Sequence, residues 1–204
     1  MTKWLAAAAL AIFLGFQYWK SHRPIRVDPP PPVVLRSLDA SEDPLQKDLT
    51  AGPVFRFNSY KLTALAEFSV GALVLLAEHY STGRESDLAP VDLALAWGPM
   101  TNPRVLERMT FSQSNRFYYW RYDGELPLPR RDVEIHSANM HLIPGSRELY
   151  RKMMDVKSGE RVQILGYLVQ VEAEDGWRWR SSLTREDTGG GACELVFVTE
   201  LNRL

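Results

Sequence analysis

The sequence predicts an α+β fold, and three observations carry that expectation. Short segments with helix-capping residues, TNPRVLERM and SRELYRKMMDV, are interleaved with segments of period-two polarity. The longest of the latter, RVQILGYLVQVEAEDGWRWRSSL, holds an Asp-Gly hairpin signal. Ahead of all of them lie an uncharged apolar stretch and a proline-rich tract, which separate an N-terminal appendage from a globular body. Composition agrees: 204 residues, 45% hydrophobic and 24% charged, suit one domain plus that appendage.

Residues 4–19, WLAAAALAIFLGFQYW, carry no charge. A spanning helix wants about 20 apolar residues. The run is slightly short, and Trp4, Tyr18 and Trp19 at the two interfaces with a snorkelling Lys20 make up the deficit. A cleavable signal peptide would need a small-x-small site, whereas GFQYWKSHRP follows, bulky and basic. Residues 1–23 are therefore expected to form an uncleaved transmembrane signal anchor. Lys20, Arg23 and Arg26 favour a cytoplasmic body by the positive-inside rule. The very short basic head, Lys3, before an apolar run is the pattern of an exported chain. The expected placement is a single-pass bacterial inner-membrane protein with a periplasmic domain, and the cytoplasmic-facing orientation is its alternative.

Residues 24–53 contain Pro24, the run Pro29 to Pro32, Pro44 and Pro53, with weak apolar periodicity. Proline tracts favour extended polyproline II structure, so this stretch is expected to be a semi-rigid stalk. Residues 54–204 form the expected mixed domain.

Within it, KLTALAEFSVGALVLLAEHY fits either element. Leu62, Leu65, Leu73 and Leu76 share a helical face, while Phe68, Val70, Ala72 and Val74 alternate as in a strand. It is not a second span, because Glu67 and Glu78 leave only ~10 uninterrupted apolar residues. DLAPVDLALAWGP reads as a helix with Pro90 in its first turn and a Gly98-Pro99 stop. TNPRVLERM predicts a short helix capped by Asn102, with Pro103 at its first position. FSQSNRFYYWRY favours a strand. SRELYRKMMDV predicts a helix with Ser146 as cap and Leu149, Met153 and Val156 as its stripe. Two strand regions close the chain, the second following the glycines of GGGACELVFVTELNRL. Short, closely spaced strands of this kind predict a small antiparallel barrel of the OB type.

The densest chemistry lies in EIHSANMHLIPG, with His136 and His141. Their separation of five is odd, so in a strand they face opposite sides. His136 then joins Ala138, Met140 and Leu142 as a packed residue, and His141 shares a polar face with Ser137 and Asn139. A zinc site on such spacing needs a cysteine pair, and the chain has one cysteine. That residue, Cys193, is a candidate nucleophile only if a cation lowers its pKa, and its neighbour Glu194 acts the other way. Asp187 opens a DTG triplet, the aspartic-protease signature, but one copy lacks the second carboxylate and a charged Arg185-Glu186 precedes it, so a turn is the better reading. WRWR at 177–180 puts tryptophans on one strand face and arginines on the other. With a formal net charge of -1, no basic patch supports nucleic-acid binding. No phosphate loop, dinucleotide fingerprint, nucleophile elbow or HExxH helix occurs, and neither cofactor nor metal is expected.

The stretches PVDLALAWGPM, FSQSNRFYYWRY, HSANMHLIP and REDTGGGACE resemble segments of an uncharacterised group of small proteobacterial membrane-anchored proteins. The resemblance spans most of residues 54–200 and implies a bacterial, membrane-tethered protein, but no activity. The expected function is a non-enzymatic binding or assembly module of the cell envelope, held at the membrane through residues 4–19. It contacts another envelope protein through its aromatic-rich surface. The alternative is an envelope hydrolase using Cys193 or a histidine, with His141, Cys193 and Asp187 as the catalytic candidates.

Overall fold

A computed structural model describes the chain except at residues 1, 23, 29, 36–38, 188 and 190, and leaves the side chains of 2–4, 16, 17 and 19–22 undescribed. Helix α1 (Thr2–His22) is followed by strands β1 (Leu45–Asp48), β2 (Val54–Phe57) and β3 (Tyr60–His79). Helix α2 (Arg84–Leu88), strand β4 (Val91–Ala96) and helix α3 (Pro103–Leu106) come next. Strands β5 (Met109–Ser114) and β6 (Phe117–Tyr122), helix α4 (Arg130–Ile135), strand β7 (Ser137–Pro144) and helix α5 (Arg147–Met154) lead to β8 (Arg161–Glu172), β9 (Arg178–Arg180) and β10 (Glu194–Arg203). The molecule is α+β, with a mixed, mostly antiparallel sheet.

The segment that fitted either element is strand. β3 is 20 residues long and buried on both faces over Phe68 to Ala72. Two register shifts, at Ala64/Ala66 against β8 and Val74/Leu76 against β4, bend it. It thereby serves β1, β2, β4 and β8 at once. A two-faced apolar run is what such a central strand requires.

The pairings β3–β4, β4–β7, β7–β10, β10–β8 and β8–β3 return to their starting strand, and only β7–β10 is parallel. One buried cluster draws on all five strands, with Phe68, Leu93, Met140, Ile164 and Val196 among its members, and α5 adds Leu149 and Met153. Close approach of β8 to β10 depends on Gly166, where a Cβ would stand 2.0 Å from the Phe197 carbonyl oxygen. A second cluster lies under β2 and includes Phe55, Phe57, Val169 and Phe197. A third joins Ala94 and Ala96 of β4 to Met100, Val105, Met109 and Val133, with Tyr118 and Trp120 packed against it.

Three elements differ from the sequence reading. DLAPVDLALAWGP is not a helix: β4 is entirely buried, and Pro90 precedes it, where a missing N–H costs the ladder nothing. FSQSNRFYYWRY is two strands, paired from Ser114↔Phe117 to Met109↔Tyr122 across the turn Asn115-Arg116. His136 ends helix α4 instead of lying in the strand, which begins at Ser137. The capping predictions hold: Asn102 accepts from the Arg104 amide and Ser146 from the Leu149 amide.

Within residues 24–53, described segments on either side of 36–38 lie against the domain. Val33 is buried, Tyr167 donates to the Pro31 carbonyl at 2.8 Å, Val27 bridges Phe57, and β1 pairs with β3. The expected boundary at 53/54 falls between two strands that both pair with β3. Among the described residues, no helix is long and apolar enough to cross a membrane. The interfacial roles expected of Trp4, Trp19 and Lys20 concern side chains outside the described ones.

Candidate binding site

The hairpin β5–β6 is clasped to the domain by its own turn. Asn115 and Arg116 both have positive φ, 52° and 70°. That is the backbone of a two-residue primed turn, which usually carries glycine at the second position. An arginine there is strained and persists only when its surroundings hold it. They do. Arg116 Nη1 donates to Asp92 Oδ1 at 2.6 Å and to the Ala89 carbonyl at 2.9 Å. Its amide donates to the Tyr80 hydroxyl at 3.1 Å, and its guanidinium stacks 3.7 Å from the Tyr80 ring centroid.

Asp92 is fully buried, so its charge needs these partners. Asn139 Nδ2 is a longer second contact, 3.5 Å from Asp92 Oδ2, and His141 is the third, its Nδ1 2.9 Å from Asp92 Oδ1 in an orientation off the line of a good hydrogen bond. The His141 ring packs at 4.9 Å against Trp179. On the same face, Asn139 donates to the Arg116 carbonyl at 2.8 Å and accepts from Gln113 at 2.6 Å. Tyr118 donates to Ser137 Oγ at 2.9 Å, and burial pushes its phenol up to about 12.

A second polar group sits beside the first, where the chain passes from β9 to β10. Glu194 is 1% exposed. Its Oε1 lies 3.0 Å from Arg185 Nε, while its Oε2 has no hydrogen-bond partner among the described residues. Arg185 also donates to Gln46 of β1 at 2.5 Å. Burial raises the Glu194 carboxyl to about 7; Arg185 opposes that rise and Asp187 adds to it. Asp187 accepts from Ser182 Oγ at 2.7 Å. The Cys193 thiol is pushed up to about 12, first by burial and then by Glu194 and Asp92. Its sulfur lies 3.9 Å from the Arg116 carbonyl oxygen.

Between hairpin and domain opens a cavity of about 650 Å³. All six residues of β6 line one side; Ser137, Asn139, Arg185, Asp187, Cys193 and Glu194 are on the other. Phe117, Tyr119 and Tyr122 of its aromatic wall are exposed. Tyr118 and Trp120 pack inward while Phe117 and Tyr119 face outward, so the strand's period separates a core face from a solvent face, with Tyr122 at the exposed end of the core face.

The structure thus places the sequence candidates unequally. Cys193 and Asp187 line the cavity. His141, on the predicted face with Ser137 and Asn139, is buried behind it and tied to Asp92. His136 stands apart: its Nδ1 is 2.7 Å from the Asp132 carbonyl oxygen and its Nε2 is 3.7 Å from Asp43. A nucleophilic cysteine needs its thiolate. Cys193 has instead a raised pKa and carboxylates for neighbours, and among the described residues no histidine hydrogen-bonds to it. Trp177 and Trp179 are packed against the second core cluster, while Arg178 and Arg180 point to Glu172 and Gln170 on the strand's other face. Among the described residues no three His, Cys, Asp or Glu side chains group as metal ligands. Sequence reasoning missed Asp92, Arg116 and Glu194 as site residues. A charged residue inside an apolar strand, as in VDLALA and CELVFV, was the available signal. Comparison with protein-family models, with curated proteins and with solved structures finds no match for this chain.

Proposed function

We propose that this protein is a non-enzymatic binding module of the bacterial cell envelope, held at the inner membrane by residues 4–19 and engaging another envelope protein with its periplasmic domain. The single observation that carries the reading is the cavity of about 650 Å³ beside the aromatic hairpin. It has the size and mixed lining of a recognition site. Its thiol is held protonated and His141 lies against Asp92 outside the cavity lining, which favours binding over nucleophilic chemistry. An aromatic surface with arginine at its margin is the composition of binding hot spots. The five-strand circuit with α5 between β7 and β8 supports an OB-type barrel, a scaffold whose face and loops bind extended polymers. The tether rests on the uncharged run of residues 4–19.

Photo-crosslinking tests the reading. A crosslinkable amino acid at Tyr119, in membranes of the source bacterium, is expected to capture one discrete envelope protein, and the same probe at Arg203 is not. Equal labelling from both positions, or none from Tyr119, overturns it. A C-terminal alkaline phosphatase fusion is expected to be active; an inactive phosphatase with a fluorescent cytoplasmic fusion places the domain on the other side.

A further inference from the structure

The β6 strand has an open edge. Ser114 and Phe117 flank a two-residue turn and form a hydrogen-bonded pair, as do Ser112 with Tyr119 and Thr110 with Arg121. The amides and carbonyls of Tyr118, Trp120 and Tyr122 therefore turn away from β5. Among the described residues no strand pairs with them, and all three residues line the cavity. Across it, the side of β7 that meets β10 is paired only from Met140 onward, so Ser137 to Asn139 lack a strand neighbour there among the described residues. An unpaired edge beside a cavity is a template for an added strand.

The far wall adds a charge preference. Of the charged side chains on that wall, Glu194 and Asp187 are acidic and Arg185, whose Nε lies 3.0 Å from Glu194 Oε1, is basic. Arg185 is ion-paired to Oε1 of Glu194, and Oε2 is buried without a hydrogen-bond partner among the described residues. Such an oxygen costs the fold its desolvation unless a donor arrives. A guanidinium binds a carboxylate best through both oxygens, and one is already taken. A compact ammonium with three donors suits a single oxygen.

We propose that the cavity receives an extended segment of a partner protein, added as a strand along the open edge of β6, with a lysine whose ammonium meets Glu194 Oε2. This rests on the binding-module reading and names the mode and chemistry of the partner. Peptide-backbone hydrogen bonds to Tyr118, Trp120 and Tyr122 supply register, and the lysine supplies specificity. A strand of six residues spans about 20 Å, the length of β6.

The test is selection of random octapeptides displayed on phage against the full chain in detergent micelles. The expected result is enrichment of proline-poor peptides with a lysine at one fixed position. The best peptide, synthesised with blocked ends, is then titrated by tryptophan fluorescence at pH 8, above the Glu194 value of about 7, where Oε2 is free to accept. Replacing its lysine by norleucine, methylating its alternate backbone amides, or using the Glu194→Gln protein is each expected to weaken binding at least tenfold. The peptide changes keep the test decisive should Glu194→Gln fold poorly. Enrichment of acidic or proline-rich peptides, no enrichment, or indifference to lysine removal and amide methylation overturns the proposal. The binding-module reading survives those outcomes if Tyr119 still crosslinks one envelope protein, and falls only if that capture fails as well.

Discussion

Arg116 Nη1 stands 2.6 Å from the carboxylate of Asp92, and this contact joins the tip of a hairpin to a strand buried on both faces. It holds an arginine in a left-handed backbone conformation and neutralises an acid that has no access to water. Removing the guanidinium leaves that charge buried with only His141 and a long contact to the Asn139 amide. Arg116→Ala is therefore expected to cost about 3–5 kcal/mol. Urea unfolding measures it, and hydrogen exchange should show β5–β6 opening first. In a double-mutant cycle with Asp92→Asn the losses should be strongly non-additive. Additive losses defeat the clasp.

Stability should fall as pH rises through neutrality. Glu194 keeps its proton to about pH 7 in the folded chain, against 4.5 when unconstrained. The folded state thus binds the extra proton between those values, so the stabilisation is full below 4.5 and lost as pH passes 7. The change is a few kcal/mol, because each pH unit between the two values contributes about 1.4 kcal/mol. Glu194→Gln should flatten denaturation midpoints between pH 5 and 8, because the amide does not titrate. A wild-type profile as flat as the variant's contradicts the assignment.

Cys193 should be sluggish towards thiol reagents. With its pKa raised to about 12, little thiolate exists at pH 7.5. Its rate with Ellman's reagent should rise by orders of magnitude on unfolding in urea. Fast reaction in the native protein reopens the nucleophile. Cys193→Ala should fold, and should retain the crosslink from Tyr119.

Gly166→Ala should be among the most damaging small substitutions. The new methyl would lie 2.0 Å from the Phe197 carbonyl oxygen, and backbone must move to admit it. A loss at the upper end of about 1–3 kcal/mol is expected. Thermal unfolding checks it; a near-native midpoint shows that β8 and β10 separate easily.

Truncation should locate the domain's true start. Deleting residues 1–23 is expected to leave the unfolding midpoint nearly unchanged. Deleting 1–35 removes Val33 from the second core cluster and the Pro31 acceptor of Tyr167, and should lower it clearly. One buried valine and one hydrogen bond together contribute about 2–4 kcal/mol. Equal midpoints would mean that this segment is only draped over the domain.

Much of the architecture was legible in the residues. Asn102 and Ser146 announced two helices, because a cap is a contact within three residues. Asp175-Gly176 announced the β8–β9 hairpin for the same local reason. β4 was misread, since Pro90 and the Val91–Leu95 spacing mimic a helix start and only burial on both faces overrides that pattern. The β5–β6 turn was missed because Asn-Arg is a poor primed turn, made tolerable by Asp92 from 24 residues away. At the site, parity alone placed His141 with Ser137 and Asn139.

The sequence by itself determined the class of fold, the caps, the alternating strands and the apolar N-terminal run, since each is a property of neighbours along the chain. It also determined that one cysteine can form no intrachain disulfide. Only the tertiary structure decided which charges meet. His141 became the partner of Asp92, Arg185 reached Gln46 across 139 residues, and Glu194 lost its water. The physical reason is that burying a charge depends on what packs around it. That environment is assembled from segments whose spacing in sequence carries no record of their proximity.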